Sequence, residues 1–373
     1  MPILSRADNS LLGRWWWTVD RWTLVAIAAL IGAGYVMMLA ASPAVAERIH
    51  QSRDVFILKQ VFFLAFAGGV VVVVSLLSPK GVRRVALAGC LVAIALTALT
   101  LLVGVEIKGA RRWIALPGLS LQPSEFLKPC FAVVAAWLLA EGKRPGRFPG
   151  MLLAFVVFGV IAFLLKSQPD IGMLAVVTAV FFAQLFVNGL NLALVGIGAG
   201  GIVAASVGAY FMFPHVQSRV SRFLDPAAGD NYQVNRALEA FGAGGLFGRG
   251  PGEGHVKDVL PDAHADFVFA VAGEEFGLLV CILLLGVFAF IVLRGLLLLV
   301  KEHDMFVVLA ATGLVSSFGL QAFVNMASTL KLIPTKGMTL PFVSYGGSSA
   351  MAIALAMGML LALTRRRHQG ELL

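Results

Sequence analysis

One run of this sequence sets carboxylates at the edge of an apolar stretch. In LPDAHADFVFAVAGEEFG, Asp266 stands immediately ahead of Phe267-Val268-Phe269, and Glu274 and Glu275 follow farther in. A carboxylate at the rim of hydrocarbon is partly desolvated, which raises its pKa and makes it a better base, whereas a neighbouring cation pulls the pKa back. In either state Asp266 can accept a proton from a hydroxyl held at a membrane surface. The competing reading is that Asp266 merely caps the helix that follows. Glu274 and Glu275, two to three turns deeper, read as helix-pairing or structural charges.

Ionisable groups within apolar spans are costly, so each is a functional candidate by default. GARRWIALPGLSLQPSEFLK (109–128) has Gly and Pro breakers, with Arg111, Arg112 and Trp113 at the interface and Glu125 and Lys128 opening the next span. Glu125 and Lys128 are i, i+3 neighbours on one helical face. They serve either as a structural ion pair or in direct binding of a substrate phosphate. Asp170 in Gln168-Pro-Asp-Ile-Gly172 reads as a helix cap after a tight turn. KLIPTKGMTLPFVSYGGSS (331–349) reads as a rigid non-helical segment, with Lys331 and Lys336 as cations and Ser344, Tyr345, Ser348 and Ser349 as hydrogen-bond donors. Irregular backbone near membrane depth is tolerated where protein or a cavity satisfies it, so this segment is expected to line a site. Residues 213–266 are too long for a mere connector and hold Arg219, Arg222, Arg236, Arg249 and Lys257, ending in His264 and Asp266.

The elements that must position these groups follow from composition. Of 373 residues, 59% are hydrophobic and 13% charged, against about 25% charged in a soluble domain. Such a chain belongs in a bilayer, and a soluble enzyme, disorder and collagen-like structure are excluded. A span needs about 20 mostly apolar residues, and ten stretches qualify: 22–42, 55–78, 85–105, 124–141, 149–165, 171–188, 190–212, 267–295, 304–329 and 346–364. The expected fold is therefore an all-α polytopic membrane protein, a single integral membrane domain over 1–373, with one long extracytoplasmic loop (213–266) between spans seven and eight. Arg6, Arg14 and Arg21 before the first span and Arg365, Arg366 and Arg367 after the last place both termini in the cytoplasm.

On that topology 109–128, 168–172, the Asp266 run and 331–349 all fall on one face. They describe a cation-rich cleft open to the outside, with a carboxylate at its floor and lipid access from the flank. It suits a substrate with a phosphate headgroup and an acyl or isoprenoid tail. The net charge of +9 is distributed as topology signals and lipid attraction, so nucleic acid is not an expected partner. Cys90, Cys130 and Cys281 lie inside apolar runs and read as core residues. Gly196-Ile-Gly-Ala-Gly-Gly201 matches a dinucleotide fingerprint, but it lacks the preceding strand and reads as close helix packing. Trp15, Trp16 and Trp17 beside Arg14 and Arg21 read as an interfacial anchor, and Ala44-Val-Ala46 as part of an uncleaved first span. Zinc-ligand spacings, a nucleophile elbow, a P-loop and cofactor fingerprints are all missing.

GARRW followed by LQPSEFLK, then QPDIG, FLDP, NYQVNRALEAFGAGGLFGRGPG, LPDAHADFVFAVAGEE and LIPTKGMTLPFVSYGGSS resemble, in order and across nearly the whole chain, the SEDS family of peptidoglycan glycosyltransferases. Pro334-Thr-Lys-Gly337 is similar to the cell-division (FtsW) branch rather than the elongation (RodA) branch. The resemblance implies polymerisation of lipid II outside the cytoplasmic membrane, with Asp266 matching the family's essential aspartate. It implies that Asp266 deprotonates the acceptor's GlcNAc 4-hydroxyl, which attacks the MurNAc anomeric carbon and releases undecaprenyl pyrophosphate with inversion. Candidate cations for that leaving group are Arg111, Arg112, Arg219, Arg222 and Lys336. Trp113, Glu125 and Lys128 match positions the family uses around its cavity, and His264 is placed to orient Asp266 or contact sugar. Partners implied are a class B penicillin-binding protein and other divisome membrane proteins. No cofactor is implied beyond room for a divalent cation at the pyrophosphate. The segment 227–231 looks shorter than in many such chains, which clouds partner contacts there.

Two rival functions fit the same sequence: a flippase for lipid II or another isoprenoid lipid, and a scaffold that recruits a transpeptidase without catalysis. A transporter needs polar groups along a path through the bilayer, whereas these cluster at one face.

Overall fold

The computed structural model describes residues 10–48, 53–107, 110–116, 119–146, 148–224, 232–334 and 337–366. A short helix, α1 (Leu11–Thr18), is capped by Ser10, whose hydroxyl accepts from the Gly13 amide at 3.0 Å. Then come α2 (Arg21–Arg48), α3 (Arg53–Ser75) and α4 (Pro79–Val103). Ser78 caps α4, and Pro79 sits at the first helical position, where its missing N–H costs nothing.

Next are strands β1 (Val105–Ile107), β2 (Ala110–Leu116) and β3 (Leu119–Leu121), an antiparallel sheet in the order β1-β2-β3. Val105 pairs with Trp113 and Ile114 with Leu121, with a bulge between Val105 and Glu106. This small sheet is the one regular element among the described residues that an all-α expectation left out. Its Gly and Pro residues break helices, and between them the chain pairs as strands instead.

The chain continues through α5 (Ser124–Glu141), α6 (Gly150–Ser167), α7 (Ile171–Val187) and α8 (Leu192–Met212). Asp170 caps α7 by accepting from the Met173 amide at 3.2 Å, as expected. The 213–266 stretch is not a bare loop. It contains α9 (Pro214–Leu224), α10 (Tyr232–Gly244) and the single turn α11 (Val256–Val259). The last helices are α12 (Val268–Leu299), α13 (Met305–Thr329) and α14 (Gly347–Leu363).

Each of the ten expected stretches is thus a helix, which makes the chain a multi-pass membrane protein. By length and apolarity α2, α3, α4, α6, α12 and α13 can each cross a bilayer; α7 and α14 are apolar but shorter. At the centre lie α5 and α13, buried along most of their length and packed on each other. Their neighbours shield the α5 charges Glu125 and Lys128 from lipid. The outer faces of α3, α4, α6 and α12 are lined with exposed Leu, Val and Phe, as a lipid-facing surface requires.

The helix α12 is broken at Gly277, whose φ of 76° a side chain rarely adopts. The backbone groups freed there are satisfied by the segment just after α10. Arg249 N donates to Glu274 O (2.9 Å) and Gly250 N to Glu275 O (3.0 Å), while Leu278 N donates to Gly245 O (3.0 Å). Such pairing is what allows a broken helix within apolar surroundings.

Candidate active site

Asp266 sits in the tight turn 261–267 that leads into α12. Its amide donates to Asp262 O at 3.1 Å, and its carbonyl accepts from Asn325 Nδ2 on α13 at 2.9 Å. Asn325 is fully buried, and the same amide nitrogen donates to Met338 O at 2.6 Å. One carboxamide therefore fixes the aspartate's backbone against the 337–346 segment. Gly337 lies alongside the carboxylate: a Cβ there would sit 3.3 Å from Asp266 Oδ2.

Ser344 fastens the same two segments. It donates to Ala265 O at 2.5 Å and accepts from Leu340 N at 2.7 Å. Tyr345 N donates to His264 O at 2.8 Å, and the two rings lie 5.3 Å apart. Burial pushes His264 below the ordinary imidazole range, only partly offset by Asp262, so the ring is neutral near pH 7. Burial also raises the Tyr345 phenol, which stays protonated.

Asp266 opens into a cavity of about 830 Å³, which is room for saccharide-sized groups. Asp266, Asp262 and Ala265 form one part of its wall, and Gly337, Met338 and Thr339 another. Trp113 and Arg112 on β2 contribute, as do Glu125 on α5, Lys59 and Phe63 on α3, Val216 and Val220 on α9, and Tyr345 through Ser349 at the head of α14.

The Glu125–Lys128 pairing read from the i, i+3 spacing is present at 2.8 Å. Lys128 is buried and also donates to Gln321 Oε1 at 2.5 Å. Gln321 in turn donates to Thr339 O (3.0 Å) and to Ser349 Oγ (3.3 Å), tying α5 and α13 to the cavity wall. With its ammonium thus committed, Lys128 supports the wall and Glu125 faces the cavity.

Arg112 reaches Gln168 O (3.0 Å), Pro169 O (2.6 Å) and Asp170 (3.5 Å), clamping the turn before α7 while lining the cavity. The preceding residue, Arg111, projects from the other face of β2, is exposed, and approaches Glu106 at 3.4 Å. Alternation along a strand separates them, and the structure does not bring Arg111 into the cavity wall. His264 and Ser344 stand behind the wall rather than in it. Arg219 and Arg222 lie on α9, but their side chains fall outside the described positions, and Lys336 lies outside the described residues.

Glu274 and Glu275 have structural partners, as expected. Glu274 accepts from the amides of His255 (2.7 Å), Val256 (2.7 Å) and Lys257 (2.9 Å). Lys257 pairs with Glu275 and donates to Ala40 O at 3.0 Å. Sequence reasoning missed Asn325, Gln321 and Thr339, whose partners sit on other segments, and Lys59, which only the fold brings to the cavity wall. Among the described residues, no cluster of three or more His, Cys, Asp or Glu is placed to hold a metal ion.

A multi-pass helical bundle with a carboxylate-bearing cavity at one end of its helices defines the class. Residues 21–369 match the FtsW/RodA/SpoVE family of cell cycle proteins, and the chain belongs to that family. It is 45% identical to the probable peptidoglycan glycosyltransferase FtsW of Caulobacter vibrioides, covering 97% of this chain and 93% of the relative. It is 36% identical to the protein of the same name from Trichlorobacter lovleyi, covering 91% and 92%. Among solved structures, a chain from work on "polymerization and crosslinking by a peptidoglycan synthase complex" superposes with a TM-score of 0.78 at 28% identity, covering 94% of this chain and 99% of that one. Thermus thermophilus rod shape determining protein RodA superposes with a TM-score of 0.67 at 28% identity, covering 94% and 97%.

Proposed function

We propose that this chain is a peptidoglycan glycosyltransferase that polymerises lipid II at the outer face of the cytoplasmic membrane during division. The observation that carries this reading is the placement of Asp266 on the wall of a saccharide-sized cavity, its backbone bonded to Asp262 and Asn325 and the preceding Ala265 carbonyl held by Ser344. In this reading Asp266 accepts the proton of the acceptor's GlcNAc 4-hydroxyl as that oxygen bonds to the MurNAc anomeric carbon of the growing strand. The anomeric bond to pyrophosphate breaks, undecaprenyl pyrophosphate leaves with the electron pair, and the centre inverts.

A positioned base supplies about 10²–10⁴-fold of rate. Orientation by the walls and cationic stabilisation of the leaving group supply the rest. Both termini are cytoplasmic and the cavity faces the periplasm. A class B penicillin-binding protein is the proposed partner, supported by the likeness to a chain of a peptidoglycan synthase complex.

A flippase would need charged groups free to line a path. Lys128, Lys257, Glu274 and Glu275, the deep charges, are instead committed to protein partners. The test uses purified protein with its transpeptidase partner in liposomes containing fluorescent lipid II. Glycan strands longer than the substrate are expected. Translocation of lipid II without any polymer would overturn the reading in favour of transport.

A further inference from the structure

The cavity's described basic residues are Arg112 and Lys59. The Arg112 guanidinium is committed to two carbonyls and Asp170. Lys59 is exposed, and among the described residues no ion pair or hydrogen bond engages its ammonium. A cation left uncommitted on a cavity wall is available to an anion that enters.

Its surroundings say what that anion is attached to. Gln60, the next residue, is fully buried and donates to Ser344 O at 3.3 Å, so the α3 backbone at Lys59 is pinned to the segment that holds Asp266. Phe63, one turn on, lines the cavity and packs on Gly347, where an added Cβ would meet the ring at 2.8 Å. On the other flank of Lys59, at i+3 and i+7, Phe62 and Phe66 stack with centroids 6.2 Å apart and are 63% and 57% exposed. Lys59 thus stands where a polar cavity meets an aromatic, lipid-facing stripe. A phosphate on this ammonium would keep its sugar in the cavity and send its apolar tail down α3 toward the bilayer.

We propose that Lys59 is a substrate-contacting residue that binds the phosphate of a polyprenyl-linked pyrophosphate, with the Phe62–Phe66 stripe guiding the tail. This rests on the lipid II reading above. The phosphate chemistry is shared with bulk anionic phospholipid headgroups, to which a lysine near a membrane surface also extends. The experiment separates the two sources.

Full-length wild type, Lys59→Gln, Lys59→Arg and Lys59→Glu are placed in phosphatidylcholine nanodiscs. Binding of undecaprenyl pyrophosphate is measured, with phosphatidylglycerol and inorganic pyrophosphate as competitors. Loss of a charge-assisted hydrogen bond predicts binding weaker by at least about tenfold in Lys59→Gln and weaker still in Lys59→Glu. Lys59→Arg should stay within about threefold, because the charge is kept. Neither competitor should displace the ligand at equal concentration. Wild-type affinity in Lys59→Gln and Lys59→Glu overturns the proposal, and so does equal displacement by phosphatidylglycerol. Lys59 is exposed, so all variants should unfold at the wild-type temperature. Because no glycosyl transfer is read, wild type that binds through Lys59 yet makes no glycan would count against the polymerase alone.

Discussion

Asp266 depends on contacts that a single atom can disturb. In Gly337→Ala the new methyl would come within 3.3 Å of the carboxylate oxygen, tighter than ordinary van der Waals contact. Initial rates of lipid II polymerisation should fall about tenfold, since small misplacement of a reacting group is costly, while the unfolding temperature stays near wild type. The Lys128–Glu125 pair behaves differently. Removing one partner of a buried pair costs about 3–5 kcal/mol, so Lys128→Met should lower the unfolding temperature markedly in detergent. Lys128→Met with Glu125→Leu should recover part of that loss. An unchanged melt in the single variant would show that the pair contributes nothing. The pair was legible beforehand because i, i+3 spacing on a helix is local geometry, and the Asp170 cap for the same reason. Asn325, Gln321 and Lys59 were not, because their roles arise only when α13, α14 and α3 meet, and a lone buried amide leaves no periodic signal.

Among the elements, α12 and the turn before it set how the site responds to sequence and to pH. Gly277→Ala would drive a methyl into the Gly248 amide and the Leu246 carbonyl at a residue with φ 76°. Strain of this kind costs of order 1–3 kcal/mol, and a lowered melting temperature is the readout. The pH response follows from His264. Its folded pKa lies below the ordinary 6.5 because burial disfavours the charged ring. The folded state therefore binds fewer protons than the unfolded one, so this contribution is whole above pH 6.5 and fades as pH falls through 6.5 toward the folded value. Melting temperature should drop between pH 7.5 and 5.5, and His264→Phe should flatten that slope. A slope unchanged in His264→Phe would assign it elsewhere. The helical, membrane-spanning character of the chain was legible from length and hydropathy alone, and six of its helices are long and apolar enough to cross a bilayer. The β1–β3 sheet was not: its Gly and Pro residues mask the signal by breaking helices, although Arg111, Trp113 and Ala115 alternating with Arg112 and Ile114 is a strand period.

For the whole molecule, the bilayer dictates a mostly helical fold because every backbone group in hydrocarbon must be paired internally. The Gly277 break obeys that rule by borrowing partners from residues 245–250. One side of the bundle joins the chain ends: Arg366 N donates to Thr18 O at 3.0 Å, Trp15 Nε1 donates to Ser75 Oγ at 2.8 Å, and Arg294 pairs with Asp20 at 2.7 Å. The other gathers the cavity, the strands and α9 to α11. Proposed sidedness follows, with cysteines introduced at Glu253 labelled by an impermeant maleimide from outside intact cells and cysteines at Arg14 protected; the reverse pattern would invert the topology. Everything functional then converges on whether Asp266 moves a proton. Purified Asp266→Asn, with its partner and saturating lipid II, should polymerise about 10²–10⁴-fold more slowly while binding lipid II and partner as wild type does. Glycan strands formed at the wild-type rate by that variant would contradict the account.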